Sequence, residues 1–340
     1  MCLLPTRLVL SLIAAAALIA AAGCASPPPS TNAADAGFSF ALWGDMPYKR
    51  NGDDPGLNAI IASLNAADIA FSIHDGDVKD GSSRCDDVVY TEALALFNRL
   101  KAPAVYTPGD NEWTDCHRLN NGGYDNLERL AHLRRVMFGR PESLGQRTMA
   151  LEHQAAPYVE NVRFERQGVV FATFNMPGSN NNRVLDDEEC RFKSARKATD
   201  CVADNAEYEA RDAANIAWLR ESFAQARKQG ARGVVTVFQA DPGFDLPETD
   251  EDESQAPRYN GYRRFMGALI AETESFKGRV LLVHGDTHFY KVDMPIYRQH
   301  KQLTNLTRIE TFGSPSLHWV KVTVDPADPQ LFDIEPVIVY

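Results

Sequence analysis

The sequence has no GxSxG nucleophile elbow, no Gly-rich phosphate loop with its lysine, and no dinucleotide fingerprint between a strand and a helix. Those absences argue against serine-hydrolase, nucleoside-triphosphatase and nicotinamide-dependent chemistry. Positive charge is also short: 35 Lys and Arg stand against 46 Asp and Glu, a formal net charge of −11. Such a balance argues against a broad nucleic-acid surface, although a local metal-lined groove keeps a nucleic-acid substrate open. Cysteine is scarce, and none of the six is spaced CxxC, so a structural zinc site is not expected. Long apolar runs are confined to LVLSLIAAAALIAAAGC, after Arg7.

That run reads as an export signal over residues 1–23, followed by a Pro-, Ser- and Ala-rich tether over 24–37. Ala21-Ala22-Gly23-Cys24 resembles a bacterial lipobox, which makes Cys24 a lipidation candidate and Ala25 an outer-membrane sorting signal. The expected location is therefore the periplasm, or an outer membrane reached through an N-terminal lipid, with no obligate protein partner implied. Beyond this segment lie Cys85, Cys116, Cys190 and Cys201, for which three pairings exist. Cys190–Cys201 is favoured because the two flank a short polar segment, and Cys85–Cys116 because each follows a candidate site loop. An oxidising compartment permits both.

From Phe38 onwards, strands repeatedly give way to polar loops. Phe38–Gly44 stops at Asp45, and Asp68–His74 stops at Asp75-Gly76-Asp77. Ala102–Pro108 stops at Gly109-Asp110-Asn111-Glu112, with helical spacing over Leu57–Ala66 and Tyr90–Leu100 in between. This succession is the signature of a βαβ architecture, whose ligands bind at the carboxyl ends of strands. Further helices are expected at Asn126–Gly139, Ala206–Lys228 and Tyr262–Phe276, and two strands within Val162–Met176. Residues 243–258 read as a solvated acidic loop, and alternation from Ile309 to Tyr340 suggests a second sheet. No break in composition divides 38–340, so one domain is expected.

The hard-metal ligands at these strand ends are Asp45, Asp77, Asp110, Asn111, Gln239, Asp241, His284, Asp286 and His288. If the fold gathers them, their mutual repulsion implies bound cations. A pair of divalent ions could then activate a bridging water against a phosphoester.

The order Gly44-Asp45, Gly76-Asp77, Gly109-Asp110-Asn111-Glu112, Gln239 and Gly285-Asp286-Thr287-His288 resembles the calcineurin-like metallophosphoesterase superfamily. The resemblance implies an α/β fold: a metallophosphatase-like β-sandwich of two mixed sheets flanked by helices, in four αββα layers. It also implies two divalent metal ions, Mn or Mg first, with Fe, Zn or Ca open, acting on a small phosphorylated substrate. Asp45 and His288 would bind the first ion and Asp77 would bridge. Asp110, Gln239 and Asp286 would complete the second, an all-oxygen set that favours a hard ion there.

The chain departs from the family pattern at Pro47, Asn111, Gln239 and Asp286, each where the family has a histidine. Asn111 takes the place of the usual proton-transfer histidine, so His74 and His117 are the candidate substitutes. Glu112 and His284 are expected to support the ligands from behind, and Asn181 and Arg183 of the PGSNNNR turn to contact phosphate. A non-catalytic metal- or phosphate-binding envelope protein of the same fold is the alternative.

Overall fold

In β1 (Phe38–Trp43), Phe38, Phe40 and Leu42 face one side and Ala41 and Trp43 the other. The same two-residue period divides β6 (Val169–Thr173), β7 (Gly233–Val237) and β8 (Arg279–His284). Val169, Phe171, Val235, Val237, Leu281 and Val283 join one core, while Val170, Ala172, Val234, Val280 and Leu282 join another. Strands buried on both faces must lie between two layers. The result is a four-layer αββα sandwich. A central core rich in phenylalanine lies between the sheets, and helices cover each outer face. The computed structural model describes residues 37–244, 255–298 and 301–340. The expected export signal, the expected tether with Cys24, most of the acidic loop and His300 lie outside them.

The first sheet has the order β14-β13-β1-β2-β3, with β2 (Ser72–His74), β3 (Ala104–Tyr106), β13 (Trp319–Val324) and β14 (Phe332–Val337). β1, β2 and β3 are parallel. Helices Asp54–Ala66, Asp87–Phe97 and Asn126–Met137 supply the outer layer through residues such as Ile60, Phe97 and Leu133. The second sheet has the order β4-β5-β6-β7-β8-β12-β9. Its remaining strands are β4 (Glu152–His153), β5 (Val162–Arg166), β9 (Lys291–Asp293) and β12 (Leu306–Glu310). β6, β7, β8 and β12 run parallel, under helices Ala198–Gln229 and Arg263–Ser275. β10 (Tyr297–Arg298) and β11 (Lys301–Gln302) pair only with each other. Among the described residues no helix is long and apolar enough to cross a membrane.

One expectation is corrected. The tail does not form a second sheet: β13 pairs antiparallel with β1, from Phe38↔Val324 to Leu42↔Val320, and β14 extends that edge. The alternation of HWVKVTV was read properly, but alternation does not say which sheet a strand joins. Val320, Val322 and Val324 complete the central core beside Phe40 and Leu42, a long-range packing choice.

Both disulfides form as paired in the sequence, Cys85–Cys116 and Cys190–Cys201. The first ties the segment after β2 to the turn Thr114–His117, just beyond Asp110. Its partners are 31 residues apart, so it removes a sizeable loop from the unfolded ensemble. Replacing Cys85 and Cys116 with Ser is expected to lower unfolding free energy by about 2–4 kcal/mol in urea titrations. A change below about 0.5 kcal/mol would show that the bond does not brace this loop.

Candidate metal centre

All the parallel strands of both sheets end at the same edge, and the chain turns sharply there. Asp45, Asp77, Asp286 and His288 have φ values of 49°, 59°, 77° and 68°. Left-handed backbone is tolerated by Asp but is disfavoured by roughly 1–2 kcal/mol for a residue such as His. Four such residues at four candidate ligand positions mark a strained edge held by its surroundings. Backbone hydrogen bonds knit the loops together. Asp45 N donates to Gly76 O at 2.9 Å, Gly285 N to Gln239 O at 3.0 Å, and Ser314 N to Asp45 O at 2.9 Å.

Several glycines at this edge make room for a neighbouring side chain. A Cβ on Gly285 would lie 2.0 Å from Asp45 Oδ2, and one on Gly109 would lie 2.0 Å from Asp77 Oδ1. On Gly44 it would lie 1.4 Å from Asp75 Oδ1, and on Gly313 it would lie 2.6 Å from His288 Cγ. Each missing methyl is the space into which a neighbouring loop's ligand side chain fits.

The gathered groups are Asp45, Asp77, Asp110, Asn111, Gln239, Asp286 and His288. Asn111 N and Nδ2 donate to Asp77 Oδ1 and Oδ2 at 3.1 and 2.5 Å. Asp286 N donates to Asp45 Oδ2 at 3.1 Å, and His288 Nε2 lies 3.4 Å from Asp45 Oδ1. His288 Nδ1 donates to Ser314 O at 2.7 Å, which aims Nε2 at the cluster. Asp241, behind Asp286, donates its backbone N–H to Asp286 Oδ2 at 3.1 Å.

Two participants were not anticipated. Tyr48 Oη sits 3.2 Å from Asp77 Oδ2, 3.3 Å from His288 Nε2 and 3.1 Å from Asn111 Nδ2. The only signal was its place three residues after Asp45, past Pro47. Asp75 lies buried beneath Asp45 and accepts from Thr311 Oγ1 at 2.8 Å.

His74 and Asn181, expected to act on the substrate, serve the scaffold instead. His74 is buried edge-on against Trp43 and Phe97, with Nε2 bonded to Met46 O and Nδ1 accepting from Gly76 N. It braces the Asp45 and Asp77 loops and does not face the cleft. Burial drives its pKa down to about 4. Asn181 is also buried, receiving Arg211 Nη1 on Oδ1 and donating Nδ2 to Gly261 O, so it holds its turn rather than a substrate. His284 bonds Gly285 O and packs on Phe244. Glu112 Oε1 accepts from Val78 N and Tyr106 Oη, fixing the loop after Asp77 from behind. Trp113 is fully buried under the Arg211 guanidinium.

A cleft of about 620 Å³ opens over Asp286, with Asp115, His117, Arg118, Ser179 and Arg183 on its walls. Ser179 Oγ lies 2.8 Å from Asp110 Oδ2 and 2.7 Å from Asp115 Oδ1. One hydroxyl proton cannot satisfy two carboxylates. Asp115 Oδ2 also meets Arg118 Nη1 at 2.5 Å, while burial and Asp110 raise the Asp115 pKa to about 7. His117, its Nδ1 against Ser194 Oγ, is pushed down to about 3 by burial and by Arg196 and Arg118.

No protein-family model matches the sequence, and no curated protein is similar to it in sequence. Among solved structures PhoD superposes at a TM-score of 0.50 and 12% identity, over 88% of this chain and 68% of PhoD. The fold is that of the calcineurin-like metallophosphoesterases. Purple acid phosphatase PPD1 from yellow lupin (Lupinus luteus) seeds gives 0.44 and 13%, over 90% of this chain and 55% of that one. GAP50, the anchor in the inner membrane complex of Plasmodium, gives 0.43 and 12%, over 89% of each.

The metallophosphoesterase fold raises the question of whether these side chains suit a cation. As they stand, no three His, Cys, Asp or Glu among the described residues close on one point. A phenol and an amide both meet Asp77 Oδ2. On the His288 side, the spacings from His288 Nε2 to Asp45 Oδ1 and Tyr48 Oη, and from Tyr48 Oη to Asp77 Oδ2, are 3.4, 3.3 and 3.2 Å. Donors around a divalent ion with bonds of ~2.1 Å stand roughly 3.0–3.4 Å apart, so this side fits.

The electrostatics point the same way. Burial, then neighbouring carboxylates, holds Asp75, Asp77 and Asp286 well above the carboxylate range, and burial raises Asp45 despite His288. For His288, burial opposes the charge but Asp45 prevails, raising it to about 9.

Acids with raised pKa values bind more protons folded than unfolded, and so does a raised histidine. Both contributions to stability are lost as pH rises, the acids' upward from about 4 and the histidine's from about 6.5 towards 9. Chelated protein is therefore expected to melt at a lower temperature at pH 8 than at pH 5, and Mn²⁺ to reverse the loss. A flat profile would contradict this. Gly109→Ala is expected to weaken cation binding by at least about 10-fold in calorimetric titration, with the far-UV spectrum unchanged. Unaltered affinity would show that the missing methyl is not what seats Asp77.

Proposed function

We propose that this chain is an exported, metal-dependent phosphoester hydrolase. The observation that carries this reading is the convergence of Asp45, Asp77, Asp110, Asn111, Asp286 and His288 on one edge of the sandwich, beneath an arginine-bearing cleft. Two disulfides support passage through an oxidising compartment.

Asp45 Oδ1, Asp77 Oδ2, His288 Nε2 and Tyr48 Oη would hold the cation. A divalent ion there supplies Lewis acidity for the phosphoryl group and for the attacking water. Asn111 fixes Asp77 through two hydrogen bonds, and Ser314 O fixes the imidazole. Arg183, with Arg118 beside it, faces the cleft and meets the remaining anionic oxygens.

The leaving oxygen finds little help. Asn111 offers an amide, which does not surrender a proton. His117 is neutral at pH 7, and Asp115 is tied to the Arg118 guanidinium and to the Ser179 hydroxyl. Leaving groups that depart without protonation, such as aryl oxides or phosphates, are therefore favoured.

One substitution also favours a second reading, a non-catalytic phosphate or metal binder: Asn111 stands where the family's proton-transfer histidine does. Binding without turnover on mono-, di- and pyrophosphate substrates would decide for it.

Protein stripped and reloaded with Mn²⁺ is expected to hydrolyse aryl phosphates in a chelator-sensitive way. Asp77→Asn is expected to lower kcat/KM by at least about 100-fold. Rates should fall steeply from p-nitrophenyl to alkyl esters, and His117→Ala should change both by the same small factor. Activity that survives thorough chelation would sink the metal-dependent reading.

A further inference from the structure

The groups that meet Asp77 are not equivalent. Three carboxylate oxygens converge on a single atom, the side-chain nitrogen of Gln239, and one of them, Asp77 Oδ2, is also the oxygen that meets Tyr48 Oη. Gln239 Nε2 lies 3.3 Å from Asp77 Oδ2, 3.3 Å from Asp110 Oδ1 and 3.2 Å from Asp286 Oδ1. Gln239 Oε1 accepts the Gly178 backbone N–H at 2.6 Å, and that bond settles which end of the amide faces the acids. Turning the amide over would set an NH₂ against the Gly178 N–H and an oxygen against three carboxylates.

The contact is built into the fold. Gln239 is fully buried. A Cβ on Gly178 would lie 2.8 Å from the Asp110 carboxyl carbon, and one on Gly76 would lie 2.7 Å from Gln239 Cγ. After Gly178, Ser179, Asn180, Asn181 and Asn182 are all left-handed, with φ between 49° and 64°. Arg211 grips that turn through Asn181 O and Oδ1. The loop that presents the Gly178 N–H is thus held from both ends.

An amide nitrogen has no lone pair free for a metal, unlike the phenol oxygen of Tyr48. We propose that this chain holds one divalent cation, on the Asp45–Asp77–His288 side, and that the Gln239 amide takes the place of the second. The amide's two hydrogens, shared among three carboxyl groups, do the bridging that a second ion would do. Asp110 and Asp286 thereby become acceptors that lock Gln239 rather than ligands. This rests on the hydrolase reading for the first cation and goes beyond it in stoichiometry.

The test is metal content and the spin state of bound manganese, neither of which depends on turnover. Full-length protein, stripped and reloaded with Mn²⁺, should retain about one ion per chain after desalting and give an uncoupled paramagnetic spectrum. Gln239→His restores a ligating nitrogen, and Gln239→Ala removes the amide while leaving its carboxylates. Either change should raise the content to about two per chain, with an exchange-coupled signal. The alanine variant guards against misfolding of the larger side chain. Two coupled ions in the unaltered protein would overturn the proposal, as would a content of one in both variants when their spectra show native folding. No bound Mn²⁺ in the unaltered protein would instead refute the metal-dependent reading beneath it, and this inference with it.

Discussion

Asp45, Asp75, Asp77 and Asp110 lie buried at one edge of the sandwich with Asp286 half-buried beside them, and everything nearby answers to their mutual repulsion. Out of water, close like charges must be met by protons, donors or cations. The chain supplies donors from every side: the Thr311 hydroxyl to Asp75, the Asp286 N–H to Asp45, the Asn111 amide to Asp77 and the Gln239 amide to three acids. Among the described residues His288 contributes the imidazole that faces the group. What remains unbalanced is anionic, a deficit that the proposed cation would complete. The left-handed residues and the close-packed glycines are consequences of the same demand, since only such a backbone lets four loops bring their side chains so near.

The strand ends were legible because each parallel strand is a short apolar run with its polar residues immediately beyond it. Asp45, Asp77, Asp110, Asp286 and His288 could therefore be placed at one edge before any distance was known. The disulfide partners were legible for a related reason, as cysteines just outside those loops. What failed was side-chain direction. His74 alternates to the helix-covered face of β2 and becomes a brace, while Asn181 turns inward to Arg211. Tyr48 was invisible because its approach depends on the path of the chain after Pro47. The tail's sheet was equally hidden, since pairing with β1 is decided by the central core.

The sandwich is shared with PhoD at 12% identity. At its edge the neutral donors stand in contact with one another and with the acids. Gln239 and Asp286 contact each other, Asn111 and Tyr48 contact each other, and both pairs meet at Asp77. A set of neutral donors has been fitted among acids. The cleft above carries its own device, a short helix, Asp187–Arg191, pinned by Cys190–Cys201 to the long helix that follows. That excursion places Phe192 and Arg196 on the cleft wall beside Arg118. The floor and the rim of the cleft are thus built from separate segments of chain.

The central claim is that the fold brings distant acidic side chains together to grip a cation. Anomalous diffraction from a crystal soaked in Mn²⁺ tests it most directly. The account requires a peak enclosed by Asp45, Asp77, His288 and Tyr48. A peak away from these residues, or none at millimolar Mn²⁺, would contradict it.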